Sequence, residues 1–295
     1  MFVHPSFRSF LFRLFTFALL LPVPFCKAQE KPYFVTYSTD LEEPGNLEIA
    51  FKGLSASPKD ANAFASHTLE MEYGATAWWT TEVYLQGQST SNDSTIFNGF
   101  RLENRFRPLP REYFVTPVIY LEYENVNEAD KSIMEVTGND GIGDFRVPNA
   151  ESRATVAHTV EGKLILSSNV GGWNFSESTI AEKNLSNHPW EFGYALGVAR
   201  PLALTASAAA CVFCRQNFDA GAEIYGGLGT HASFGLHDTS HYAGPVVDFR
   251  IPNGPTLSFS PQFGLNDNSV GTLWRFKLSY ELQQIRDIFK RKDAQ

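Results

Sequence analysis

The sequence predicts an all-β protein, an antiparallel up-and-down transmembrane β-barrel of about 12 strands, with about 14 as the alternative count. Three observations predict this fold. Apolar and polar residues alternate along most of the chain, the connections between the alternating segments differ in length, and no stretch after the leader is apolar enough for a helical membrane span.

The alternation is clearest in the last segment, residues 273–282. Its even positions are apolar, from Trp274 to Leu282, and the positions between them are polar or charged. Because successive side chains of a strand point to opposite faces, this segment has one apolar and one charged face. It is about ten residues long, which is what a tilted strand needs to cross a bilayer core. We expect it to be the closing strand.

The same alternation recurs in earlier segments, which we interpret as strands. They are residues 47–52, 68–73, 78–86, 100–107, 113–124, 155–167, 173–181, 190–199, 202–212, 217–228, 241–251 and 256–265. With the last segment this gives an odd count, whereas bacterial membrane barrels have an even number of strands.

The connections predict the same class of fold. Residues 74–77, 108–112 and 200–201 form short turns, whereas residues 55–63, 89–95 and 125–153 form longer loops. Short turns on one side and long loops on the other are typical of outer-membrane barrels. Residues 125–153 are the longest stretch without periodicity, and we interpret them as a long loop.

The chain divides into four parts. Residues 1–29 contain basic residues, a short apolar core and then small residues, which is typical of a secretory signal peptide. Residues 30–45 are polar and acidic, and we interpret them as a solvated periplasmic lead-in. Residues 46–282 form the barrel. Residues 283–295 form a short basic C-terminal tail.

Alternation alone does not decide which face meets lipid, because a soluble barrel or a secreted β-sandwich has the same period with an apolar interior. Three features favour an apolar exterior. About twelve strands make a barrel too wide to fill easily with side chains. The leader exports the chain without a helical anchor. Aromatic residues lie near strand ends, where an interfacial girdle is expected: Trp78, Trp79, Trp173, Trp190, Tyr242 and Trp274.

Composition narrows the classes of partner. The formal net charge is −8, and it becomes more negative once the basic leader is removed, which argues against nucleic acid as a partner.

Cys211 and Cys214 form a lone Cys-x-x-Cys pair, which is half of a zinc site at most. A loop disulfide, two inert thiols and a redox or metal pair are the three interpretations. The sequence indicates no cofactor.

Four stretches carry a resemblance to a known family. They are EPGNLEI at 43–49, EGKLILS at 161–167 continuing to GWNF at 172–175, HYAGP at 241–245 and FGLND at 263–267. With them the chain resembles bacterial outer-membrane β-barrel proteins regarded as transporters, and is most similar to the phenol-degradation MetA-like barrels. The resemblance implies the outer membrane of a Gram-negative bacterium, a small and hydrophobic solute, and no catalytic motif.

The closing strand also resembles the signal that the barrel-assembly machinery reads. Arg275, Tyr280 and Leu282 fit that signal, whereas Lys277 stands where glycine is usual and the strand is followed by the tail. The resemblance implies outer-membrane lipid and the assembly machinery as partners. The oligomeric state stays open.

One local cluster could carry chemistry. His237, Asp238 and His241 are residue types that bind metals, and Ser240 between them could join a histidine and an acid in a lipid-hydrolysing site. The alternative is a polar loop between two strands, which needs no site. We expect the loop, and hence no metal site.

The other candidates are the charged residues on the polar faces of the strands. In a water-filled lumen they would line a pore and set its selectivity. In a closed lumen they would pair with one another as a structural network. A barrel of about 12 strands lies between the filled and the open cases. The candidates are Arg101, Glu103, Arg105, Glu122, Glu124, Arg275, Lys277 and Glu281.

Three functions fit these observations. The first is a passive channel or solute-binding transporter for small molecules, without enzymatic activity. The second is a barrel lipid hydrolase that uses residues 237–241. The third is a structural or adhesive barrel whose loops, above all residues 125–153, meet partners.

Overall fold

A computed structural model describes residues 31–186, 188–205 and 211–285. These residues form a closed antiparallel barrel of 12 strands and one extra short strand, so the predicted fold is confirmed. The predicted signal peptide lies outside the described residues, as does the tail beyond Ile285. The strands are β1 (Leu47–Ala56), β2 (Phe64–Thr76), β3 (Trp79–Thr90), β4 (Thr95–Phe106), β5 (Thr116–Asn127), β6 (Val156–Val170), β7 (Trp173–Asn184), β8 (Trp190–Pro201), β9 (Phe218–Thr230), β10 (Ser233–Phe234), β11 (His241–Arg250), β12 (Thr256–Gly264) and β13 (Thr272–Leu282).

The topology is up-and-down, because each wall strand pairs with its neighbour in sequence. Strand β13 closes the barrel against β1, with Leu282 opposite Leu47. The extra strand β10 only extends the end of β9, and β11 pairs directly with β9. We call the end where β1 begins and β13 finishes the terminal end, and the opposite end the loop end.

The strand predicted at residues 202–212 is wrong for the part of it that the structure describes, and residues 206–210 lie outside the described residues. Strand β8 finishes at Pro201, and the described residues 202–205 and 211–217 form a connection with one turn of 3-10 helix at Arg215–Asn217. Strands β8 and β9 pair directly with each other in the wall, for example through Gly197 and Glu223. The described apolar residues Leu202 and Leu204 therefore belong to a terminal-end loop.

The tight turn between β6 and β7 shows how the sequence determines a hairpin of the wall. Strands β6 and β7 are joined by Gly171 and Gly172, whose φ angles are 58° and 82°. A two-residue hairpin turn that matches strand twist needs positive φ at both central residues, which glycine adopts without steric cost. The predicted hairpin between residues 155–167 and 173–181 is confirmed, with Val170 opposite Trp173.

The wall is apolar outside and polar inside. In β13, Phe276 is 43% exposed whereas its neighbour Arg275 is only 4% exposed. The same division holds in β4, where Leu102 faces outward and Glu103 is fully buried. Exposed aromatic residues lie near both ends, with Trp78 and Trp173 at the terminal end and Trp190 and Trp274 at the loop end.

Tyr242 is an exception to the predicted aromatic girdle. It is 1% exposed, lies inside the barrel and stacks on Tyr225, with ring centroids 5.5 Å apart. Its hydroxyl accepts a hydrogen bond from the backbone N–H of Val270. Its polar group therefore has a partner within the interior, and the prediction that it belongs to the girdle is wrong.

Two segments fill the lumen. Residues 30–45 are predicted to be solvated, but within residues 31–46, here the N-terminal segment, Val35 and Thr39 are each 1% exposed. Residues 125–153 are predicted to be a long loop, and residues 128–155, here the insert, do connect β5 to β6 with little regular structure. The insert folds into the lumen, with Val136 3% and Asn149 0% exposed. None of the helices in the described part of the chain is long and apolar enough to cross a membrane.

Candidate functional site

The lumen carries a continuous row of glutamates, here the glutamate row. The row runs from β13 to β1 and then through each strand in turn to β8. In each adjacent pair of these strands, one glutamate lies directly opposite another. Because strands of a barrel are staggered, the row climbs from the terminal end at β1 to the loop end at β8. Like charges placed opposite one another destabilise a sheet unless something neutralises them. The row consists of Glu281, Glu48, Glu72, Glu82, Glu103, Glu122, Glu161, Glu182 and Glu191.

Arg105 neutralises the lower part of the row. Its guanidinium pairs with Glu82, lies 2.6 Å from Glu72 and lies 3.1 Å from Glu103. The Tyr84 hydroxyl lies 2.6 Å from Glu103. Three carboxylates from three strands thus share one buried cation.

The N-terminal segment adds to this lower network. The Tyr37 hydroxyl donates a hydrogen bond of 3.2 Å to Glu103, and the Arg105 guanidinium lies over the Tyr37 ring. Burial and the nearby Glu103 carboxylate raise the pKa of Tyr37 well above its usual range. Tyr37 therefore stays a hydroxyl donor to the carboxylates.

Arg101 and Lys163 form ion pairs with carboxylates in and beside the upper part of the row. Arg101 lies 3.1 Å from Glu122 and 3.0 Å from Glu124. Glu135, which the insert supplies, accepts a 2.5 Å bond from Arg101 and lies 3.2 Å from Lys163. Burial alone would raise the pKa of Glu135, but Arg101 and Lys163 lower it to about 2. Ion pairs therefore hold the insert to the wall.

One carboxylate of the wall accepts three backbone hydrogen bonds from the N-terminal segment. Glu223 of β9 accepts hydrogen bonds from the backbone N–H groups of Phe34, Val35 and Thr36, at 3.0, 3.0 and 2.8 Å. A carboxylate can accept several such bonds, whereas an amide offers only one acceptor oxygen. The segment therefore depends on the charge at Glu223.

The predicted pore-lining residues all point into the barrel or its terminal end. Arg275 donates to the carbonyl of Ile133 in the insert, and Lys277 lies 3.9 Å from Glu48. Glu281 is half-buried and accepts a bond from Asn46. The lumen in this structure is filled, and the charges are paired as the closed alternative expects. The buried candidates are Arg101, Glu103, Arg105, Glu122, Glu124, Arg275 and Lys277.

Sequence reasoning missed more than half of the glutamate row and its cation Lys163. A glutamate on the polar face of successive strands was a visible signal. The register that places those glutamates opposite one another was not visible, because it depends on the pairing of strands. The missed members are Glu48, Glu72, Glu82, Glu161, Glu182 and Glu191.

The cluster at residues 237–241 does not converge on one point. The His237 and Asp238 side chains are 91% and 74% exposed and lie 2.7 Å from each other. His241 is buried, with Tyr194 3.1 Å and Thr239 2.7 Å from its ring nitrogens. The three side chains therefore form no common metal site in the described part of the chain.

The same cluster lacks the arrangement of a hydrolase. The Ser240 hydroxyl lies 2.8 Å from the carbonyl of Asp140 and 2.9 Å from that of Asn268. His241 makes its contacts with Tyr194, Thr239 and Leu236 instead. A nucleophile needs a base within hydrogen-bond reach, and Ser240 has none among these contacts.

Cys211 and Cys214 are joined in a disulfide. The pair lies in the connection between β8 and β9, at the terminal end. Cys211 is exposed and Cys214 is half-buried. The pair is remote from the upper part of the glutamate row.

A cavity of about 650 Å³ opens near the loop end, between the insert and the wall. The charged groups in its lining are acidic residues of the insert and of the wall, with Arg101 as the buried cation. The acidic lining includes Glu124, Asp130, Glu135, Asp140, Asp144, Glu182 and Glu191.

Several solved structures are similar to this chain. An outer membrane channel from Pseudomonas putida F1 is 11% identical, covers 82% of this chain and 96% of its own, and has a TM-score of 0.48. LpxR from Salmonella typhimurium is 10% identical, with 79% and 99% covered and a TM-score of 0.43. Outer membrane phospholipase A from Escherichia coli is 9% identical, with 85% and 93% covered and a TM-score of 0.40. No protein-family model and no curated protein matches the sequence.

Proposed function

We propose that the protein is an outer-membrane channel of a Gram-negative bacterium, closed in this structure by the insert and the N-terminal segment. The observation that carries the proposal is the inverted polarity of the wall. Soluble barrels bury their apolar face, whereas here the apolar face is outside and the charged face is inside.

The exterior supports the membrane location. Lipid-exposed strands need an apolar outer surface, and a closed barrel leaves no unpaired backbone edge in the hydrocarbon. Exposed tryptophans near both ends fit the two membrane interfaces. The predicted signal peptide and the resemblance to MetA-like barrels support the same location.

The interior supports a channel that opens rather than a permanently filled barrel. The insert contacts the wall through apolar packing of Val136 and through polar contacts, such as Glu135 with Arg101 and Thr137 with Glu182. Such contacts can break while the wall ladder stays intact. The acidic lumen favours small solutes that are neutral or cationic over anionic ones.

Single-channel conductance in planar bilayers tests the proposal, with Glu135→Gln as the variant. Glu135 lies closer to Arg101 than the other acid of the insert that pairs with it, Asp130. Arg101 and Lys163 keep Glu122, Glu124 and Glu161 as partners when the Glu135 charge is removed. Loss of a charge-assisted bond of about 2 kcal/mol should raise the open fraction roughly tenfold or more. The control is Glu112→Gln, an exposed acid at the terminal end.

We expect rare openings in the wild type and in Glu112→Gln, and frequent openings in Glu135→Gln. Equal conductance in all three proteins would show that the insert is not the closing element. Absence of conductance in all three, at every voltage tried, would contradict the channel itself.

A further inference from the structure

We propose a calcium site beside the upper part of the glutamate row, formed by Glu124 together with Glu161 and Glu182 of the row. These residues come from three adjacent strands, β5, β6 and β7. One carboxylate oxygen of each lies within 4.8 Å of the corresponding oxygens of the other two. Calcium binds oxygens at about 2.3–2.6 Å, so oxygens across one ion lie about 5 Å apart. The observed spacing fits one ion between them.

The charges around this point do not balance. The upper cluster holds five carboxylates, from Glu122, Glu124, Glu135, Glu161 and Glu182. The cations that pair with them in the described residues are Arg101 and Lys163. In the lower part of the row, Arg105 contacts Glu72, Glu82 and Glu103 together, and Lys52 and Lys277 add further positive charge. A divalent ion would supply the charge that the upper part lacks.

Glu161 provides a second and independent indication. Its side chain is fully buried, and its Oε1 atom lies 2.9 Å from Lys163. Its Oε2 atom is also buried and has no hydrogen-bond partner in the described part of the chain. A buried carboxylate oxygen without a partner is costly, and a bound cation would remove that cost.

Glu182 decides between two possible triads. Glu161 also belongs to a group with Glu122 and Glu135, but every carboxylate of that group already pairs with Arg101 or Lys163. Glu182 has no ion pair among the described residues and accepts one hydrogen bond, 2.7 Å from Thr137. Glu124 and Glu182 also line the cavity at the loop end, through which an ion and its waters can enter.

The ligand chemistry selects calcium. All three ligands are carboxylate oxygens, which hard cations prefer, whereas zinc sites use histidine and cysteine. Magnesium needs near-ideal octahedral geometry and gives up its waters reluctantly. Calcium tolerates irregular sites and can complete its shell with water from the cavity.

Calcium titration of the folded full-length chain in detergent, after treatment with EGTA, tests the site. We expect one ion per barrel with a dissociation constant between roughly 10⁻⁶ and 10⁻³ M. Glu182→Gln should weaken binding at least tenfold without leaving a cation unpaired. Glu191→Gln is the matched control, since it lies next to Glu182 in the row but outside the triad. It should change binding by less than threefold.

A second measurement separates binding from a folding defect. Calcium should raise the unfolding temperature of the wild type and of Glu191→Gln, but not of Glu182→Gln. In EGTA, Glu182→Gln should be at least as stable as the wild type, because one of several like charges is gone. Wild-type protein that binds no calcium would overturn the proposal, as would Glu182→Gln binding as tightly as the wild type. Neither readout requires conductance, so a failure of the channel proposal is seen separately.

Discussion

Arg105 is the residue on which the lower interior depends most. It is 3% exposed and pairs with Glu72, Glu82 and Glu103 from three strands. A buried cation that is removed leaves its carboxylate partners charged and unpaired, which is more costly than the pair itself is stabilising.

We expect Arg105→Gln to lower the free energy of unfolding by about 3–5 kcal/mol, because three buried carboxylates lose their shared cation. Urea unfolding of the folded barrel in lipid vesicles, followed by tryptophan fluorescence, measures the change. The control is Arg111→Gln, an exposed arginine at the terminal end, which should cost less than about 0.5 kcal/mol. Equal stability of the two variants would contradict this role.

Glu223 carries a second prediction at this scale. Glu223→Gln should loosen the N-terminal segment, since the amide keeps one acceptor oxygen and turns its NH₂ group toward at least one backbone donor of residues 34–36. Limited proteolysis of the folded barrel should then cut residues 31–45 at least tenfold faster than in the wild type. Glu177→Gln, an exposed acid on the outer face, is the control. An unchanged rate of cleavage would show that other contacts hold the segment.

At the scale of elements, the insert packs against glycines of the wall. A Cβ atom on Gly193 of β8 would come within 2.3 Å of the Val136 carbonyl of the insert. Gly193→Ala should therefore push the insert away from the wall while the strand remains. We expect faster proteolysis within residues 128–155 and more frequent channel openings.

The matched control for this change is Gly162→Ala in β6. A Cβ atom on Gly162 meets nothing closer than 3.9 Å, so it adds the same methyl group without a clash. If both alanine variants were cut at the wild-type rate, the insert would not depend on close approach to β8.

The elements also show where sequence reasoning stops. Alternation predicts the strands well, because period-two patterning follows directly from strand geometry. It fails at residues 202–205 and 211–212, where a few apolar residues of a loop alternate as in a strand. It also fails for the insert, since residues such as Val136 and Met134 are apolar without any period and become buried only by folding into the lumen.

The candidate site was predictable only in part. Arg101, Glu103 and Arg105 could be assigned to an inward face from β4 alone, and they do point inward. Their partners could not be assigned, because Glu72 and Glu82 come from other strands and the register joins them. Glu135 was hidden in a segment with no periodicity.

At the scale of the whole molecule, the most informative property is the inverted polarity of the barrel, with an apolar exterior and a charged interior. A wall with Phe276 outside and Arg275 inside is unstable in water as a monomer and stable in a bilayer. The formal net charge of the chain is −8, and the carboxylates of the glutamate row face the lumen. The proposed membrane location, the proposed channel and the proposed calcium site all depend on this arrangement.

The most direct test of the central claim is heat-modifiability on a detergent gel of the membrane fraction, with and without boiling. A closed membrane barrel resists SDS until it is heated, so the unboiled protein should be found with outer membranes and should migrate faster than the boiled protein. A chain recovered in the soluble fraction, with the same mobility before and after boiling, would contradict the account.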